Sequence, residues 1–168
     1  KKIKNISHHA LFFDVDFEQH AKDIYDEPQW PKEPLFYANF PSLTDKTAAP
    51  EGMESGFFLV PLAPGIEDTE ELRDQYFDKI IERFEILTQQ TVKSNIVFKQ
   101  SFCKNDFVSE YNSYKGNAYG MANTLLQTAF LRPKLKSSKV KNLYFTGQLT
   151  VPGPGVPPAL ISGKLVSE

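Results

Sequence analysis

Apolar residues first gather from His9 to Val15 (His-Ala-Leu-Phe-Phe-Asp-Val), a short run that predicts a β-strand. Asp16 then stands where a helix N-cap belongs, ahead of Phe17, Ala21, Ile24 and Tyr25, which share one face at helical spacing. Pro28, Pro31 and Pro34 exclude regular helix beyond that point. Leu35 to Phe40 predicts a second strand, closed by Pro41, and Gly56 to Leu62 a third. The near-continuous apolarity of the third strand implies burial on both faces. Between them, Ser42 to Gly52 is polar and ends in a Pro50-Glu51-Gly52 turn.

The clearest helix pattern covers about 69–87. Asp68 is a plausible N-cap, and Glu70 and Glu71 suit the positive end of the helix dipole. Leu72, Tyr76, Ile80, Phe84 and Leu87 form one continuous stripe, with Asp74, Asp78, Glu82 and Glu85 largely opposite. Such a stripe is a core face. Asn95 to Phe102 alternates enough to predict a half-buried fourth strand, and Asn105 to Tyr111 a short helical turn. Tyr114 to Ala122, rich in glycine and aromatics, reads as loop, with helix possible between Met121 and Phe130 before Arg132-Pro133 stops it. The expected class is α+β, a mixed sheet with packed helices.

Composition narrows the partners. A net charge of −2 leaves no concentrated basic surface of the kind nucleic acid requires. One local exception is Arg132 to Lys141, which holds Arg132, Lys134, Lys136, Lys139 and Lys141 without an acid. It reads as a solvated loop or as a patch that adheres to anionic lipid. The 14 Phe, 7 Tyr and 1 Trp supply either a phenylalanine-rich core or a wall for a long apolar ligand. Cys103 is the single cysteine, so no disulfide forms within the chain, and a reducing cytoplasmic setting is expected. No apolar run approaches the roughly 20 residues that span a bilayer, so any membrane contact is expected to be peripheral. The chain starts on Lys1, and Ala159 to Glu168 patterns as a helix without a stop signal. Both features lead us to expect a portion of a longer polypeptide.

The chemistry concentrates near the C-terminus. Asn142 to Gly147 (Asn-Leu-Tyr-Phe-Thr-Gly) predicts a strand ending on glycine, followed by Gln148-Leu149-Thr150 and then Val151-Pro152-Gly153-Pro154-Gly155. Gly147, Gly153 and Gly155 permit positive φ or close approach of another group. Pro157 and Pro158 suit the first turn of a helix, where absent N–H groups cost little. Free N–H groups at that start, including that of Val156, point forward with the positive end of the dipole. The arrangement is a tight turn, or a cradle for an electron-rich ligand group.

Taken with Pro152-Gly153-Pro154-Gly155-Val156-Pro157 and Ser162-Gly163, this string resembles the C-terminal signature of bacterial-type phytoene dehydrogenases. These are carotenoid desaturases within the amine-oxidase-like FAD flavoproteins. Weaker matches run upstream in order: His8-His9 before a strand, Pro50-Glu51-Gly52 before Val60-Pro61, Asp106-Phe107, and Leu126-Gln127 ahead of Arg132-Pro133. The resemblance implies a substrate domain at 1–115 and a segment at 116–168 that returns to the FAD-binding domain. It also implies FAD as cofactor, an isoprenoid hydrocarbon as substrate, and desaturation with hydride passing to flavin. Gly147 and Gln148 would then lie near the FAD phosphate and ribityl region, and Val156 and Pro157 near the isoalloxazine, with Pro152, Gly153 and Gly155 shaping the crossing. Gln148 is neutral where relatives in the wider group often carry an acid.

No G-x-G-x-x-G follows a strand, so the pyrophosphate-binding half of such a site is expected outside this chain, which by itself would be inactive. Another flavoprotein of the group, retinol-saturase-like or amine-oxidase-like, and a non-catalytic lipid-binding domain remain the alternatives. Among smaller signals, His8 and His9 are adjacent on a strand and should face opposite ways, so no metal site is expected. Cys103 reads as a structural thiol, and Asp106, Glu110 and Tyr111 as surface or capping residues before acid–base groups. No catalytic base is identifiable.

Overall fold

The computed structural model describes residues 2–122 and 124–168. It divides into two compact units, Lys1–Asp106 and Phe107–Glu168. Three strands, β1 (His9–Phe12), β2 (Phe36–Asn39) and β3 (Phe57–Leu59), form one antiparallel sheet in the order β1-β2-β3. The helices are α1 (Phe17–Tyr25), α2 (Glu70–Thr88), α3 (Lys104–Tyr111) and α4 (Val156–Ser167). The α+β class read from the sequence holds, with all pairing antiparallel.

In the first unit, strand register explains the core. Phe12 pairs with Phe36, and Ala10 with Ala38 and then Phe58, so these side chains share one face of the pleat. That face receives Tyr76, Ile80 and Phe84 of α2. Phe84 is fully buried, its ring 5.4 to 5.7 Å from those of Phe12, Phe40 and Phe58. Burying each such phenylalanine contributes roughly 2 kcal/mol. The opposite face carries His9, Leu11, Tyr37, Asn39, Phe57 and Leu59, and within the first unit His9, Leu11 and Phe57 are exposed. Phe57 is 54% exposed, so the third strand is buried on one face only, against the sequence expectation.

The α2 stripe is shorter than its periodicity. Leu87 is 41% exposed, while Ile81, off the stripe, is buried. Thr69 caps the helix, its Oγ1 accepting from Leu72 N–H at 3.2 Å. Asp68, expected as the cap, has a different task. Its buried carboxylate accepts from Arg73 Nε at 2.6 Å and Nη2 at 2.7 Å, and from the Asn105 amide at 2.7 Å. Arg73 also pairs with Asp106 at 2.7 Å. Asp16 does cap α1, accepting from Glu18 N–H at 2.9 Å.

His20 is a second buried polar anchor. Its Nδ1 accepts from the Leu35 amide, and its Nε2–H donates to the Pro61 carbonyl, both at 2.9 Å. One imidazole thus closes the proline-rich loop and the end of the third-strand segment onto α1. The fourth expected strand does not form. Ile96 to Cys103 has no ladder partner among the described residues, and Val97 and Phe98 are 81% and 76% exposed. An alternating pattern makes a strand only where a neighbouring edge is available. Residues 121–130, considered for helix, give only single 3-10 turns at Leu125–Gln127 and Ala129–Leu131; Asn123 lies outside the described residues.

Candidate functional site

The second unit is organised around a glycine-proline crossing that leads into α4. Asn142 to Gly147, expected as a strand, contributes only a bridge between Tyr144 and Lys136. Hydrogen bonds from Ser137 N–H to Leu143 O (2.9 Å) and from Phe145 N–H to Leu135 O (2.7 Å) flank it. Asn142 takes φ +60 at the turn, so the segment is one arm of a hairpin.

Gly147 follows, at φ +100, with no heavy atom within 4 Å of where a Cβ would stand. Its backbone is held from two sides. Its carbonyl accepts from Thr150 N–H at 3.1 Å and Thr150 Oγ1 at 2.9 Å. Its N–H donates to Ser162 Oγ at 2.8 Å, and that hydroxyl donates to Ala159 O within α4 at 2.6 Å. Ser162 is fully buried and Thr150 nearly so. The turn and the helix are therefore one hydrogen-bonded piece.

Arg132 lies beneath the crossing. It is 3% exposed, donates from Nη1 to the Gln148 carbonyl at 3.3 Å, and would stand 3.5 Å from a Cβ on Gly153. The sequence reading placed Arg132 in a basic loop, solvated or lipid-facing. The structure takes it out of that set, because it is buried and its Nη1 donates to the backbone of 148. Gly153 needs to be glycine for its φ of +137.

Gly155, at φ +112, precedes α4 as its N-cap and supplies no side-chain cap. Ala159 N–H makes the first helical bond, to Gly155 O at 3.0 Å. Pro157 and Pro158 carry no N–H. Val156 is thus the first-turn residue that retains a donor, and its N–H has no acceptor among the described residues. Val156 is 74% exposed, and Pro152 and Pro157 are exposed too. Gln148 is half-buried, its Nε2 donating to Ala118 O at 3.3 Å. All seven residues singled out from the sequence fall on this one piece of backbone. Ser162 stands in the sequence only as part of a motif and Arg132 only in a basic run, since no local pattern announces a contact across 15 or 16 residues; the Thr150 contact, three residues from Gly147, is local and carries no motif of its own.

The other candidates lie elsewhere. His8 precedes β1 rather than lying in it, so the two histidine rings stack at 4.3 Å instead of facing apart. His8 Nδ1 meets Thr44 Oγ1 at 2.7 Å, and His9 Nδ1 meets Tyr37 Oη at 2.6 Å. No group of three or more potential metal ligands occurs among the described residues. Burial pushes the Cys103 thiol up, which favours an unreactive thiol. Asp106 accepts from the Cys103 amide at 2.7 Å besides pairing with Arg73; Glu110 and Tyr111 are exposed.

No family model matches the chain. Individual proteins do. The chain is 43% identical over 99% of its length to a carotenoid 3,4-desaturase of Haloarcula japonica. The chain belongs to the carotenoid desaturase family. It is 31% identical over its whole length to a zeta-carotene-forming phytoene desaturase of Myxococcus xanthus. It is also 35% identical over 95% of its length to a 4,4'-diapophytoene desaturase (4,4'-diaponeurosporene-forming) of Staphylococcus aureus. The chain spans about a third of the length of these relatives, 33 to 34%. Membership covers both structural units, since the matches run through the sheet, α2 and the crossing alike.

Proposed function

We propose that this chain is the substrate-domain and C-terminal portion of an FAD-dependent carotenoid desaturase. The observation that carries the reading is the 43% identity over 99% of the chain to a carotenoid 3,4-desaturase. The reaction takes two hydrogens from a C–C single bond of an isoprenoid chain. One leaves as hydride and one as a proton, and the carbons are left doubly bonded. Bound FAD supplies the two-electron acceptor for that hydride.

In this reading residues 1–115 serve the hydrocarbon and 116–168 return to the FAD-binding domain, whose phosphate-binding fingerprint lies in the remainder of the protein. The residues of the crossing fit a flavin. Gly147 leaves open space where a side chain would stand. Val156 offers an unshared N–H at the positive end of α4, and Pro157 and Pro158 add no competing donor. Gly147 and the neutral Gln148 take the phosphate and ribityl side without repulsion, and Val156 and Pro157 the ring. Pro152, Gly153 and Gly155 fix the path of the backbone between them.

The substrate offers no polar handle, so its binding rests on apolar burial at about 25 cal/mol per Å². Leu11 (67% exposed), Phe57 and Leu59 on the sheet face away from α2 supply such a surface. A hydrocarbon of this kind resides in lipid, and the reading includes a cytoplasmic enzyme held peripherally at a membrane. No helix among the described residues is long and apolar enough to cross one.

The test is to purify the complete protein, record its absorbance for bound flavin, and incubate it with phytoene-like substrates. A flavin spectrum and new conjugated products are expected. A protein with neither refutes the reading.

A further inference from the structure

The charge of this chain is segregated. Between Glu110 and Glu168 there is no acidic residue, yet seven lysines or arginines fall in that stretch of a chain whose net charge is −2. Arg132 is buried, but Lys134, Lys136, Lys139 and Lys141 are exposed and make no ion pair among the described residues.

Three of those four lysines sit on the hairpin closed by the Lys136–Tyr144 bridge. At its tip Val140, 53% exposed, stands between Lys139 and Lys141. Ser137 Oγ accepts from the amides of Lys139 (3.2 Å) and Val140 (3.1 Å), which fixes the tip. Lys136 Nζ lies 5.7 Å from the centre of the Tyr144 ring, itself 44% exposed. An apolar residue at a hydrogen-bonded tip, a ring at the closing bridge and lysines at both match the headgroup layer of a bilayer. Lysines are almost never buried unpaired, and all three are exposed here.

We propose that the hairpin from Leu135 to Phe145 is the surface by which the protein rests on an anionic lipid bilayer. Lys136, Lys139 and Lys141 engage the headgroups, and Val140 and Tyr144 enter the layer beneath them. The inference names the contact surface and stands whether or not the crossing holds a flavin.

The complete protein is co-sedimented with vesicles of phosphatidylcholine alone and of phosphatidylcholine with 30% phosphatidylserine (a composition of about that proportion gives a strongly negative surface). Binding to the anionic vesicles and its loss at high salt are expected. Replacing Lys136, Lys139 and Lys141 together by Gln lowers that partition about 100-fold, since each lysine contributes roughly fivefold. Val140→Trp keeps every charge and strengthens binding. Equal partition onto neutral vesicles overturns the proposal, and so does wild-type-like partition of the triple variant or a Val140→Trp variant that binds no tighter.

Discussion

Ser162 receives the Gly147 amide at 2.8 Å while fully buried, so one hydroxyl in the middle of α4 decides where the glycine turn lies. Ser162→Ala leaves the Gly147 N–H without its acceptor, and the expected cost is about 1–3 kcal/mol. Denaturant unfolding of the complete protein measures it. In the flavin reading, the same variant retains less flavin through purification than the wild type. Unchanged stability and flavin content would show that the turn holds itself.

Arg132 makes a separate prediction, because its charge is buried against backbone. Arg132→Met keeps the length of the side chain but removes the donor to the Gln148 carbonyl. A loss of about 1–3 kcal/mol is expected. Arg132→Lys retains charge without the planar fork and should recover only part of it. Unfolding midpoints of the three proteins, compared at one pH, give the ranking.

The Asp68–Arg73 pair predicts how the first unit responds to acid. The Arg73 guanidinium beside Asp68, joined by the Asn105 amide, holds this carboxyl below its ordinary value of 3.8, against the opposing effect of burial. A carboxyl depressed in the folded state stabilises fully above its unfolded value, and that contribution is lost as pH falls through the lower folded value. Asp68→Asn should therefore cost stability at pH 7, and the cost should shrink as pH falls below 3.8 towards the lower folded value. A stability difference that stays constant from pH 7 to pH 3 would refute this assignment.

His20 predicts a cost that size alone does not explain. His20→Phe fills the volume but leaves the Leu35 amide and the Pro61 carbonyl without partners, for an expected loss of about 2–4 kcal/mol. Phe84→Ala, a pure cavity in the same unit, should cost about 3–5 kcal/mol. Hydrogen exchange at the Leu35 amide separates the two, since it should rise strongly in the first variant.

Local chemistry explains which elements were legible. Asp16 ahead of an amphipathic nonapeptide specified α1 and its cap, and the Tyr76-Ile80-Phe84 spacing specified the buried face of α2. The expected strands at 95–102 and 142–147 had equally good patterns, yet one stays unpaired and the other forms a single bridge. A helix satisfies its hydrogen bonds within itself; a strand borrows them from a neighbour the pattern does not name. Asp68 and Thr69 show the same limit on a smaller scale. Both are good caps by type, and only the presence of Arg73 and Asn105 diverted Asp68 to a buried pair.

By itself the sequence determined the periodic helices, the glycine-proline crossing, the family resemblance and the absence of acids after Glu110. These follow from residue identity at fixed spacing along the chain. The tertiary structure alone decided that Ser162 and Thr150 clamp Gly147, that Arg132 is buried while its lysine neighbours are not, and that Leu11 and Phe57 are exposed on the sheet face away from α2. Apart from the local Thr150 contact, these depend on groups far apart in sequence coming together, and on which of two chemically similar residues water can still reach.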